Sequence, residues 1–170
     1  MQHAPVIDKH PKAIFLLLVF YAVHMAEEFT CGFVPWADRY FGDFDWTQNL
    51  IGNALFFACL YLACRAYANN PATYLWLGMA GVMWILSNAF LHISATILGG
   101  EYSPGVVTAS LVYVPGGVYF LRRWARNGVL NAKNISLSFL VGAMAFMLVP
   151  TFVRAILLHA QLAKIFHLVH

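Results

Sequence analysis

The segment HMAEE, residues 24–28, places an imidazole beside two carboxyl groups at the end of an apolar stretch. His24, Glu27 and Glu28 are spaced i, i+3 and i+4, so they share one face if the segment is helical. Two carboxylates in a medium of low dielectric constant cannot both ionise without compensation. The segment therefore predicts a bound cation, a nearby arginine or a carboxyl group that keeps its proton.

Polar residues with helical spacing recur in two other apolar segments. Asn88 and His92 are four residues apart, and so are Asn49 and Asn53. Each pair would present a single helix face. Ionisable residues within membrane segments that point into a bundle are candidates for a functional site.

Imidazole and carboxylate together suit Zn²⁺ or Fe²⁺, so we expect one or two divalent metal ions. One glutamate would ligate the metal, and the other would act as a general base or move protons. Helical bundles that hold two irons use two Glu-x-x-His pairs, which this sequence lacks, so one metal is favoured over two. The predicted ligands come from three segments: His24, Glu27 or Glu28, His92 and His159.

Further residues would complete the predicted site. Asn53 and Asn88 would orient the ligands or bind substrate, because amides commonly do so around metal sites. Arg154 would hold an anionic group or pair with a carboxylate, and Tyr102 would lie next to the site as a catalytic residue.

Composition identifies the environment of these polar groups. Of the 170 residues, 61% are hydrophobic and 10% are charged, whereas soluble domains carry about 25% charged residues. The chain is therefore predicted to be an integral membrane protein surrounded by lipid. The formal net charge of +3 is small, and we expect no nucleic-acid partner.

The hydrophobic pattern predicts an all-α protein, an integral membrane bundle of five transmembrane helices in a single domain, residues 1–170. Each apolar segment can supply about 20 helical residues, which is enough to span a bilayer. Residues 35–45, rich in Asp with Pro and Gly, are predicted to be a loop. The five segments are residues 12–34, 46–68, 72–98, 104–123 and 134–160.

Basic residues cluster on one side of this five-span arrangement, which predicts a cytoplasmic N-terminus and an external C-terminus. We expect the cytoplasmic (inner) membrane, with the first segment retained rather than cleaved as a signal peptide. The polar residues of all five segments would then lie in the outer half of the bundle. The basic residues on the inner side are Lys9, Lys12, Arg65, Arg122, Arg123, Arg126 and Lys133.

Three motifs resemble those of one protein family. HMAEE at 24–28, NAFLH at 88–92 and YSPG at 102–105 are similar to the HXXEE, NXXXH and YXPG motifs of the HXXEE-domain membrane proteins. The resemblance extends from residue 24 to residue 105 and implies a small multi-helix membrane protein. It also implies an active site composed of the motif residues, namely His24, Glu27, Glu28, Asn88, His92, Tyr102, Pro104 and Gly105.

The expected function is that of a membrane-embedded metalloenzyme, a hydrolase or an oxidoreductase. Its substrate would be a hydrophobic molecule such as a lipid, an isoprenoid or a quinone.

The alternatives are a metal-free acid–base isomerase or cyclase, a small proton-coupled transporter, which would need to form a homo-oligomer, and a structural membrane subunit. In a simpler interpretation, Glu27 and Glu28 lie at a hydrated helix end, and His92 is structural.

Overall fold

A computed structural model describes residues 8–144, and within that range the chain is helical with no β-strand. The predicted all-α class is confirmed. The helices are, in chain order, α1 (Pro11–Thr30), α2 (Phe33–Phe41), α3 (Trp46–Asn69), α4 (Pro71–Gly99), α5 (residues 106–126) and α6 (residues 132–144). Helix α1 opens with a 3-10 segment, Pro11–Phe15. Helix α5 contains a π-helical segment, Ala109–Tyr113, between the α-helical segments Val106–Thr108 and Val114–Arg126.

Among residues 8–144, three helices are long and apolar enough to cross a membrane: α1, α3 and α4. The predicted segments 46–68 and 72–98 agree with α3 and α4 to within one residue at each end. Segment 104–123 becomes α5, and segment 134–160 extends beyond the described residues.

The prediction of a loop over residues 35–45 was wrong, because most of that stretch forms α2. Helix α1 ends at Thr30, earlier than predicted, and Gly32, with a φ of 81°, separates it from α2. This left-handed conformation is readily accessible to glycine. Helix α2 starts at the next residue and carries Trp36 on its buried side.

Helix α5 packs against both α1 and α4 through two adjacent glycines. A Cβ on Gly116 would lie 2.4 Å from the ring of Phe20, and one on Gly117 would lie 2.5 Å from Leu86. Small residues of this kind let helices approach closely in membrane proteins. The π-helical turns end two residues before Pro115, which cannot donate a backbone hydrogen bond to the preceding turn.

The start of α1 and the ends of α3 and α5 meet at one end of the bundle. The carboxylate of Asp8 accepts hydrogen bonds from the Tyr67 hydroxyl, at 2.6 Å, and from the Arg123 guanidinium. The indole of Trp124 donates to the Tyr67 hydroxyl at 2.9 Å. We call this the basic end. At the opposite end, α1 carries HMAEE, α4 carries NAFLH, and YSPG directly precedes α5.

Candidate metal centre

Two helices bring His24, Glu28 and His92 together in the interior. Glu28 lies one turn after His24 on α1, and His92 belongs to α4. The three residues are 1%, 4% and 0% exposed. The Nε2 atom of His24 is 3.3 Å from Glu28 Oε1, and the Nε2 atom of His92 is 3.2 Å from the same oxygen. The three potential ligand atoms all lie within 4.8 Å of one another.

Two of these separations have the length expected within a metal's coordination shell. In a tetrahedral site with bonds of about 2.0–2.1 Å, neighbouring donor atoms lie roughly 3.3 Å apart. The two imidazole–carboxylate distances have this value. Two histidines and one carboxylate also leave a coordination position free, as catalytic zinc and non-haem iron sites do.

A hydroxyl group orients each imidazole through its other nitrogen. His24 Nδ1 is 2.8 Å from Thr108 Oγ1, and His92 Nδ1 is 2.9 Å from Ser103 Oγ. Within residues 8–144, both Nε2 atoms are buried without a hydrogen-bond partner, although they lie near Glu28. A histidine that binds a metal through Nε2 needs that nitrogen free of other partners and its Nδ1 held by a hydrogen bond. The residues therefore fit a divalent ion held by His24, Glu28 and His92.

Glu27 lies outside this cluster, although the sequence offered it equally as a ligand. Its carboxylate accepts hydrogen bonds from the backbone N–H groups of Gly105, Val107 and Thr108, at 3.2, 3.1 and 2.7 Å. The hydroxyls of Tyr102 and Thr108 donate to it as well, each at 2.5 Å. A carboxylate at a helix N-terminus is stabilised by the unpaired N–H groups there. Glu27 thus caps α5 and leaves Glu28 as the acidic member of the cluster.

Tyr102 contacts Glu27 and is not a member of the histidine cluster. Desolvation of its hydroxyl and the neighbouring Glu27 carboxylate raise the pKa of Tyr102 above its ordinary value. The phenol therefore stays protonated and donates a hydrogen bond to Glu27. The Tyr102 side chain is 45% exposed. Its hydrogen bond to Glu27 connects the loop that precedes α5 to helix α1.

The predicted amide residues lie on α3 and α4. Asn53 donates to the side-chain oxygen of Asn49 at 2.7 Å, and its own oxygen accepts from the Tyr21 hydroxyl. Asn88 lies one turn before His92 and is buried, and its side-chain oxygen has no partner within the described range. Asn53 is therefore engaged with Tyr21, whereas the Asn88 oxygen is available to a ligand.

Aromatic residues enclose the two histidines, and the sequence reasoning missed them. The Tyr113 ring lies 4.5 Å from that of His24, between centroids, while Phe33 and Trp36 of α2 lie 5.8 and 6.4 Å from His92. The Tyr113 hydroxyl is buried and, among the described residues, unpartnered. Tyr113 ends the π-helical segment, and π-helical turns are frequent at functional sites. No spacing rule applied to the sequence would have placed Tyr113 here.

Arg154 and His159, the two predicted site residues of the last segment, lie outside the described residues. Their proposed roles as an anion anchor and a third imidazole stay predictions. The described part of the site is supplied by α1, α2, α4 and α5 together with the loop over residues 100–105.

Comparison with known families connects this geometry to a sequence pattern. A family model described as a protein of unknown function with the HXXEE motif matches residues 15–120, more than half of the chain. The matched range contains every residue of the cluster and both of the hydroxyls that orient it. No curated protein and no solved structure matches the chain. The chain is therefore a member of the HXXEE family, and the histidine and second glutamate of its HXXEE motif converge with the histidine of NAFLH.

Proposed function

We propose that this protein is a membrane-embedded metalloenzyme that acts on a hydrophobic substrate. The observation that carries the proposal is the pair of buried, unpartnered Nε2 atoms of His24 and His92 on one oxygen of Glu28. Buried polar atoms normally have partners. The two imidazole nitrogens lack hydrogen-bond partners within residues 8–144 and converge on one oxygen of Glu28. An ion that all three residues bind accounts for this arrangement.

Zn²⁺ and Fe²⁺ are the ions that the donor set suits best. A divalent ion bound by these three residues would supply Lewis-acid polarisation of a substrate oxygen for hydrolysis, or redox chemistry if it is iron. Ser103 and Thr108 would hold the imidazoles in the ligating orientation. Glu28 would also balance the positive charge of the ion.

Tyr113 and Asn88 would position the polar part of the substrate. The Tyr113 hydroxyl can donate a hydrogen bond to a substrate oxygen, and the Asn88 oxygen can accept one from a hydroxyl or amide group. Both atoms are buried and lack protein partners within residues 8–144. Phe33 and Trp36 would exclude water from the His92 side, which strengthens electrostatic interactions inside the site.

A groove between α1 and α3 supports the hydrophobic nature of the substrate. Its volume is about 430 Å³, within the range of small-molecule sites. Tyr21 and Met25 belong both to its wall and to the buried face of α1 that carries His24 and Glu28. We infer that an apolar chain of a lipid, isoprenoid or quinone enters laterally along it. The lining residues are Tyr21, Ala22, Met25, Ala26, Phe29, Leu50, Asn53, Ala54 and Phe57.

In the membrane, we propose a bundle of five spans with a cytoplasmic N-terminus. Three spans, α1, α3 and α4, are supported by length and hydropathy. Helix α5 and the segment 134–160 would supply the other two. The basic end faces the cytoplasm by the positive-inside rule, which leaves the metal centre near the external leaflet.

Elemental analysis of gently purified protein tests the proposal. We expect about one zinc or iron ion per chain, with loss of that ion in His24→Ala and His92→Ala. His10→Ala is the matched control, because His10 is exposed and lies at the basic end. Wild-type protein that binds neither ion, even after incubation with each of them, would overturn the metal proposal. It would favour acid–base chemistry by Glu28 if Glu28→Gln then abolished turnover.

A further inference from the structure

The basic end contains a cavity of about 550 Å³ between the residues that precede α1 and the last turns of α5. Lys9 and His10 form one side, and Arg122, Arg123 and Arg126 form the other. Arg122 lies fourteen positions after Thr108, the residue beside His24, which corresponds to roughly 20 Å along a helix. The cavity is therefore separate from the candidate metal centre.

Three of the four permanent cations at this cavity lack an ion pair within residues 8–144. Arg123 forms an ion pair with Asp8. Lys9, Arg122 and Arg126 form no ion pair with any carboxylate of the described chain. Like charges held around one concave space repel one another, and a bound anion relieves that repulsion.

Asn127 completes the polar part of the lining, and the rest of the cavity wall is mainly apolar. Pro115, Val118 and Tyr119 extend from the arginines along α5 toward the middle of the bundle. A free phosphate ion would use only the cationic part of such a site. An anionic phospholipid would use both parts, with its phosphate among the cations and an acyl chain along Val118 and Tyr119. Basic pockets at the cytoplasmic side of membrane helices bind acidic headgroups in this way.

We propose that the cavity between Lys9 and the Arg122–Arg126 turn is a binding site for one anionic phospholipid. The headgroup phosphate contacts Lys9, Arg122 and Arg126, while the Asp8–Arg123 pair fixes the wall between α1 and α5. The site tethers α5, which also supplies Tyr113 and Thr108 to the metal centre. The proposal does not depend on a metal being bound.

Native mass spectrometry of the full-length protein in detergent tests this site. Phosphatidylglycerol and phosphatidylcholine with identical acyl chains are titrated separately. We expect one phosphatidylglycerol to bind about tenfold more tightly than phosphatidylcholine, and the double variant Arg122→Gln/Arg126→Gln to lose that preference. The control is Lys12→Gln/Arg65→Gln, which removes two exposed cations near the same end that do not line the cavity. Its affinity should stay within about twofold of the wild type.

Three outcomes would overturn the proposal. Equal binding of the two lipids means that charge does not select the ligand. Equal losses in both double variants mean that diffuse surface charge attracts the lipid. Displacement of phosphatidylglycerol by an equal concentration of inorganic phosphate means that the site is built for a free anion. Because Arg122 and Arg126 are exposed, the variants should fold, and their circular dichroism and melting temperature verify it.

Discussion

Gly105 lies against the imidazole of His24 so closely that a Cβ on the glycine would be 2.7 Å from the ring's Cε1 atom. The same Cβ would be 2.9 Å from Cε1 of His92. The φ angle of Gly105 is +107°, a conformation that other residues rarely adopt. The glycine of the YSPG motif thus lets the loop before α5 lie directly on both histidines.

Gly105→Ala should therefore disrupt the metal centre. Either the loop or both imidazoles must move, and the backbone conformation becomes strained by about 1–3 kcal/mol. We expect loss of bound metal and a lower melting temperature. Gly100→Ala is the control, because Gly100 also has a positive φ, of 66°, and a Cβ added there would meet nothing within 4 Å. Equal metal content in the two variants would contradict the close packing described here.

The two adjacent glutamates should respond differently to the same substitution. Glu28→Gln removes the acidic ligand, so elemental analysis should find little zinc or iron. Glu27→Gln should retain the metal and lower the free energy of unfolding by about 1–2 kcal/mol, because it removes a charge-assisted cap from α5. If Glu27→Gln loses the metal while Glu28→Gln keeps it, the assignment of ligand and cap is reversed.

Ser103→Ala should weaken metal binding without removing a ligand. The serine hydroxyl contacts His92 Nδ1 at 2.9 Å, and loss of such an orienting partner typically lowers metal affinity 10–100-fold, about 1.4–2.7 kcal/mol. Competition with a chelator of known affinity measures the change. Ser138→Ala serves for comparison, because Ser138 is equally buried and donates instead to the Trp76 carbonyl. Similar affinities in the two variants would argue that Ser103 has no orienting role.

Tyr113→Phe should weaken the binding of a ligand at the metal without lowering the stability of the protein. Removal of a buried hydroxyl that lacks a partner in the described structure should leave the melting temperature unchanged or raise it. Metal content should also stay the same. Binding of acetohydroxamate to the cobalt-substituted protein, followed by its visible absorption, should weaken roughly 2–10-fold if the hydroxyl donates to the bound ligand. Unchanged acetohydroxamate affinity, or a large fall in melting temperature, would assign Tyr113 a packing role only.

The sequence by itself determined the all-helical class, the bounds of α3 and α4, and the family. Long apolar runs must form helices where water cannot satisfy the backbone, so α3 and α4 agree with the prediction to within one residue at each end. The i, i+4 spacing of His24 and Glu28 and the apolar surroundings of His92 also identified these residues as site candidates. The break between α1 and α2 at Gly32 was missed, because the residues on both sides of it are apolar.

Only the tertiary structure decided which glutamate joins the histidines. Glu27 and Glu28 both lie within one turn of His24 on the same helix face, and local spacing cannot rank them. The positions of α4 and α5 decide which glutamate joins the histidines, because His92 lies next to Glu28 whereas the N-terminus of α5 lies next to Glu27. Thr108 reaches His24 across 84 residues of sequence, and the π-helical turns direct Tyr113 toward the same ring. Such contacts depend on how helices pack, and residue type and spacing within a single helix do not contain that information.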